Sequence, residues 1–168
     1  VQPSFDEQTF ANAKKEELVE LIAADINDAY ERRAQSVAAT AMPVLRQVYE
    51  KQGDQVENIY IPITNGKLVY NVPVNLRKAI ESDGAEIYKM FTKIVMLTTI
   101  DDNWRDHLRQ MDDLRQSVQN ASYEQKDPLL IYKLESYNLF SAMLEKSNRD
   151  ELSILNKGYI PMREQTEQ

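Results

Sequence analysis

The chain has 168 residues, of which 42% are hydrophobic and 28% charged, with a formal net charge of −7, one histidine and no cysteine. That length and composition specify a folded globular chain of one domain or two small ones, able to bury about 70% of its unfolded surface. The missing cysteine excludes a disulfide framework and any thiolate site and suits a reducing compartment. The acidic balance argues against a nucleic-acid-binding face, which needs concentrated Lys and Arg.

No apolar run approaches the roughly 20 residues that a membrane span needs. The opening VQPSFDEQ has neither the basic start nor the apolar core of an export signal, and a first residue other than Met points to a piece of a longer chain. In the first segment, Ser4 followed by Glu7 has capping-box spacing and Asn12 is a second possible cap, so a helix is expected to begin between them and run to about Gln52. Its expected core face is Leu18, Leu21, Ile22, Ile26, Ala29, Val37, Val44 and Val48. Pro43 removes a backbone donor and is expected to kink or restart the helix.

The period then changes. In ENIYIPITNGKLVYNVP, Ile59, Ile61 and Ile63 alternate before Asn65-Gly66, and Leu68, Tyr70 and Val72 alternate after it. That pattern predicts a β-hairpin with one apolar face, turning through Asn65-Gly66 in a type I′ turn. Pairing Thr64 with Lys67 in this way sets Pro62 opposite Val69, where its missing N–H would be wanted. Two strands alone are marginal in water, so the apolar face must cover a helix or another sheet. NLRKAIES follows as a short helix capped by Asn75, punctuated by Asp83-Gly84.

From about Ala85 to Gln119, the residues Leu97, Ile100, Trp104, His107, Met111, Leu114 and Val118 recur at alternating spacings of three and four. This predicts one helix of roughly 50 Å with a packing seam that includes Trp104 and a partly buried, hydrogen-bonded His107. Asp127-Pro128 starts the next helix, with Asp as N-cap and Pro in the first turn. Leu130, Leu134, Tyr137, Phe140 and Leu144 share one of its faces. The short connection predicts an antiparallel helical hairpin, with Tyr123 in the connecting segment. A tyrosine there either folds back over a helix end or reaches out to a partner, for which it offers large area with few rotors.

His107 has Asp102, Asp106, Asp112 and Asp113 nearby, but one helix does not converge the three or four ligands a zinc site needs, and no nucleophile motif accompanies it. The four glycines, at 53, 66, 84 and 158, are dispersed and form no phosphate-binding loop. The chain is therefore expected to carry no catalytic residue, no metal and no cofactor. The fold expected is mainly α, a helical bundle with a long antiparallel helical hairpin and one inserted β-hairpin.

The run LTTIDDNWRDHLRQMDDLRQSVQNASYEQKDPLLIYKLESYNLFSAML resembles the two-helix finger of the SecA family of preprotein translocation ATPases. The resemblance is carried by Ile100-Asp101, Trp104, His107-Leu108, Met111-Asp112, Leu114-Arg115, Tyr123, Gln125, Asp127-Pro128, Tyr132-Lys133, Glu135, Phe140 and Met143-Leu144. It implies a helical wing-like region over 1–84 and a scaffold and finger over 85–168, with the tip at about 120–126; the β-hairpin at about 57–73 matches no element of the family and is read as a lineage-specific insertion in the wing. It further implies that Tyr123, with Gln125 and Lys126 beside it, contacts a preprotein at the SecYEG channel. Trp104, His107, Leu108, Met111, Asp112, Leu114, Arg115, Asp127 and Pro128 would build the frame.

The motor domains of the parent protein would supply ATP, Mg and the driving movement, and the whole would work in the cytoplasm, peripherally at the bacterial inner membrane. Cut from those domains, the fragment is expected to self-associate through its uncovered apolar stripe, or to fold its wing over the gap. The competing reading is a free-standing cytosolic helical scaffold that binds another protein.

Overall fold

A computed structural model describes residues 2–120 and 127–161. It confirms a mainly α chain with one two-stranded antiparallel sheet. The elements are α1 (Glu7–Asn12), α2 (Lys15–Gln52), a 3₁₀ turn (Gly53–Gln55), β1 (Asn58–Thr64), β2 (Val69–Asn75), α3 (Leu76–Glu81), α4 (Ala85–Asn120) and α5 (Pro128–Leu155). Two compact units emerge, the first comprising 1–94 with 154–168 and the second 95–153.

The first helical stretch divides in a way its sequence did not announce. Asp6 caps α1 by accepting from the Thr9 N–H at 2.8 Å. The Ser4 N–H donates instead to Asp25, and the Asn12 side chain to the Gln8 carbonyl. The longer helix starts at Lys15, where the Lys14 N–H donates to the Glu17 carboxylate at 3.0 Å. It then continues through Pro43 to Gln52 without the expected restart. Ala41, Met42 and Leu45 flank the proline and are all buried, so tertiary packing holds the helix across the missing donor. The buried stripe passes through Leu45, whereas Val44, expected in the core, is exposed.

The β-hairpin buries most of the predicted face, with Ile61, Ile63 and Val72 buried and Ile59 and Tyr70 half-buried; Leu68, expected there, is exposed, and Val74 is buried as well. The register differs from expectation, with Thr64 opposite Val69 and Pro62 opposite Asn71. Of the two central turn residues, Gly66 and Lys67, only Gly66 has positive φ, which is the requirement of a type II′ turn and not of type I′. The Asn65 carboxamide accepts from both the Lys67 and Leu68 N–H groups at 2.9 Å, which moves the turn one residue along.

Cross-strand bonds join Asn65 to Leu68 and Leu76 to Glu57, so the odd-numbered residues of β1 face their partner strand. Pro62 consequently lacks only an outward-pointing donor, and no ladder bond is lost. Thr64 points outward too and exchanges both backbone bonds with Tyr159, at 2.8 and 2.9 Å.

Asn75 caps α3 by accepting from the Lys78 N–H at 3.1 Å. The helix ends in a Schellman arrangement: Gly84 N–H donates to the Ala79 carbonyl and Asp83 N–H to that of Ile80, with Asp83 left-handed at φ 49. Around these elements the core of the first unit collects Val37, Leu76, Ile87, Tyr88 and Phe91. The Tyr88 ring packs 5.2 Å from Tyr30 and 5.3 Å from Phe91, and its hydroxyl donates to the Leu155 carbonyl. Each such apolar side chain contributes about 1.5–3 kcal/mol before conformational entropy is subtracted.

Candidate functional site: the helical hairpin of the second unit

Within residues 95–153, α4 and α5 run antiparallel. Asn103 bonds Ser147 while His107, one turn further along α4, packs against Phe140, so ascending numbers on one helix meet descending numbers on the other. Both helices are locally encoded. In α5, Asp127 caps the first turn by accepting the Leu129 N–H on its side chain at 2.9 Å and the Ile131 N–H on its carbonyl, and Pro128 is the first helical residue as predicted. Along α4, Asp101, Asp102 and Asp106 pair with Arg105 and Arg109 at i,i+3 and i,i+4 spacing on an exposed face.

The seam between the helices is the expected one from His107 onward and differs before it. On α4 the buried row is Val95, Thr99, Asn103 and His107, continued by half-buried Met111 and Leu114 and buried Val118. Leu97, Ile100 and Trp104, expected in that seam, are 60%, 50% and 45% exposed. On α5, Leu130, Leu134, Tyr137, Phe140 and Leu144 are likewise exposed, and Ser147 is buried in their place. The contacts to α5 come from the polar middle of the α4 row, Asn103 and His107.

Asn103 anchors that row. Its Nδ2 donates to Ser147 Oγ at 3.0 Å, and its Oδ1 accepts from the Lys146 ammonium, which also reaches Asp150 at 3.2 Å. Neither Asn103 nor Ser147 stood out in the sequence. The signal that could have found them is the spacing of four from Val95 through Thr99 and Asn103 to His107, outweighed by the more apolar stripe beside it.

The frame residues are placed as follows. His107 is buried between Trp104, 5.4 Å away, and Phe140, 5.9 Å away and edge-on. Its Nδ1 has no hydrogen-bond partner among the described residues, against the expectation of a bonded histidine. Met111 and Leu114 are half-buried, and Leu108, Asp112, Arg115 and Asp127 exposed. Tyr123, Gln125 and Lys126 lie outside the described residues. Among the described residues no three His, Cys, Asp or Glu side chains converge on a metal position, and no helix is long and apolar enough to cross a membrane.

A unit of two long antiparallel helices, and a separate sheet-containing unit with another long helix, define a helical wing-and-scaffold class of protein. Residues 3–158 match the SecA wing and scaffold domain, a match that runs across the β-hairpin, and the chain belongs to that family. The protein translocase subunit SecA of Parabacteroides distasonis is 50% identical over 165 residues, covering 98% of this chain and 15% of that protein. The corresponding subunit of Bacteroides fragilis is 48% identical over 168 residues, covering 100% and 15%, and that of Azobacteroides pseudotrichonymphae 41% over 165 residues, covering 98% and 15%. The chain thus spans about 15% of the length of these curated relatives. No solved structure matched it.

Proposed function

We propose that this chain is the wing and two-helix-finger region of a preprotein translocation motor. In this reading α4 and α5 present the segment 121–126 to a preprotein at the mouth of the SecYEG channel. Tyr123 touches the moving polypeptide, with Gln125 and Lys126 beside it. The observation that supports the reading is the antiparallel pairing of α4, ending at Asn120, with α5, starting at Pro128, in a chain that belongs to the SecA family.

The fragment carries no catalytic role of its own and holds no cofactor. ATP and Mg belong to the motor domains of the parent protein, which operates in the cytoplasm and peripherally at the inner membrane. Helices suit the task because a hydrogen-bonded rod about 50 Å long transmits displacement with little internal compliance. The apolar side chains left open on α4 and α5 also support self-association of the isolated fragment.

The test is site-specific crosslinking from position 123, in the full-length motor, to a preprotein arrested in the channel, with Tyr123→Ala translocation assayed alongside. Crosslinking to the chain, and loss of translocation with ATPase activity retained, is the expected result. If neither occurs, position 123 is a loop-packing residue and the segment acts as a protein-binding scaffold instead.

A further inference from the structure

The chain leaves the first unit along α4, at 94–95, and re-enters it at the end of α5, at 153–154. Within that unit the returning segment is held at three points. The last carbonyl of α5, that of Leu155, accepts from the buried Tyr88 hydroxyl of α4. A helix end leaves such carbonyls unsatisfied, so Tyr88 caps α5 from outside it. Gly158 lies so close to α4 that a Cβ there would stand 2.7 Å from the Phe91 ring and 2.9 Å from the Tyr88 hydroxyl. Its φ is not positive, so the glycine answers a need for space and not for backbone shape. Tyr159 then exchanges both backbone bonds with Thr64 on the outer edge of β1, at 2.8 and 2.9 Å.

The β-hairpin is the other side of this arrangement. Thr64 is 7% exposed and all its polar groups are engaged: its hydroxyl donates to the Leu68 carbonyl at 2.8 Å and accepts from the Gly66 N–H at 3.0 Å. The turn and the bridge to Tyr159 are thus fastened at one residue. On the other strand, Tyr70 makes a T-shaped contact with Phe91, ring centroids 5.5 Å apart. The sequence also confines the bridge to one pair. The next hydrogen-bonded position of an antiparallel ladder would set Pro62 against Pro161, and neither can donate. The Tyr159 side chain is 44% exposed, so the contact is made by its backbone. These residues encode a single closed point and not a third strand.

We propose that the β-hairpin is a clasp for the roots of the helical hairpin. Tyr70 holds α4 through Phe91, Thr64 holds the segment after α5 through Tyr159, and Gly158 and Tyr159 are positioning residues that let the two segments lie together. A helix is a stiff rod, and two of them pass on a displacement together only when both roots are held. With the clasp open, the end of α5 keeps the Tyr88 bond alone. The use of the clasp in translocation rests on the proposed function; its existence does not.

Hydrogen exchange in the full-length protein tests the clasp. The Thr64 and Tyr159 amides should be protected in the wild type. Tyr159→Pro deletes one bridge donor and should speed exchange at Thr64 and over 154–158 by about tenfold. Gly158→Ala forces a Cβ against Phe91 without removing a donor and should do the same, whereas Tyr159→Ala should not. The amides of Val37 and Ile87, both buried, should stay slow in all three variants. Unprotected Thr64 and Tyr159 amides in the wild type, or acceleration spread evenly through the unit, overturns the proposal. The same variants, carrying the crosslinker at position 123, separate the clasp from the reading it serves. Preprotein moved per ATP hydrolysed should fall in Tyr159→Pro and Gly158→Ala and hold in Tyr159→Ala. A wild type that crosslinks, beside clasp variants that stay fully coupled, overturns the clasp alone. A wild type that fails to crosslink overturns the finger reading, and the exchange result then decides the clasp.

Discussion

The side-chain amide of Asn103 on α4 donates to the hydroxyl of Ser147 on α5 at 3.0 Å, with both residues buried. The pair binds the two helices at one axial position by a directional contact, which an apolar zipper does not supply. Removing one partner leaves the other desolvated and unpaired. Asn103→Ala is therefore expected to destabilise the chain by about 1–3 kcal/mol. Asn103→Leu combined with Ser147→Ala should cost less than the sum of its two single changes. Urea unfolding of the single and double variants checks both statements.

Gly84 and Gly66 separate backbone strain from steric exclusion. Both have positive φ, 88° and 87°. A Cβ on Gly84 would lie 2.6 Å from the Ala38 Cβ, whereas one on Gly66 meets nothing within 4 Å. Gly66→Ala should cost only the left-handed strain, about 1–2 kcal/mol. Gly84→Ala adds overpacking worth about 1–3 kcal/mol, and thermal melts should order the two variants accordingly.

Tyr88 makes stability fall in alkali. Burial pushes its phenol well above the ordinary value of 10.0, and its hydroxyl donates to the Leu155 carbonyl. The folded state keeps this proton while the unfolded state releases it. The stabilisation is thus whole below about pH 10 and is lost as pH rises beyond it. Tyr88→Phe should cost about 0.5–1.5 kcal/mol at neutral pH and should flatten the alkaline fall. An unchanged alkaline slope in that variant would show that another group is responsible.

Pro62 is predicted to be replaceable. Its missing N–H points away from β2, so Pro62→Val restores no ladder bond and should alter stability by less than about 1 kcal/mol. Ile61, one residue earlier, is buried and faces its partner strand, opposite Val72. Ile61→Pro removes a ladder bond and buried methyl groups together, and a loss above about 2 kcal/mol is expected in chemical denaturation.

Trp104 is the chain's single tryptophan and is 45% exposed. Its fluorescence should be open to a neutral quencher in the isolated chain. Trp104→Ala should cost less than the roughly 3–5 kcal/mol typical of core aromatics. Sedimentation of the isolated chain is expected to show concentration-dependent association that weakens when Leu97 and Leu134, 60% and 57% exposed, are both changed to Lys.

The features legible in the sequence were those whose cause lies within a few residues. Asn75 and Asp127-Pro128 mark helix starts because a cap is satisfied by its own next turn. The alternation around Ile61 and Val72 marks the hairpin because a strand turns its side chains over at every step. The turn slipped by one residue because the Asn65 side chain claims two backbone donors, a choice that spacing does not record. The continuity of α2 through Pro43 was equally hidden, since it rests on buried Ala41, Met42 and Leu45.

By itself the sequence determined the long helices, the hairpin, the helix start at Asp127-Pro128 and, through the run from Ile100 to Leu144, the family. Only the tertiary structure decided which face of α4 meets α5. Periodicity states which residues share a face, and Leu97, Ile100 and Trp104 do share one; it does not state which face is turned to which neighbour. That choice fell to a row containing Thr99, Asn103 and His107, because small and polar side chains let two helices approach and bond across the gap, while the apolar stripe stays open beside them.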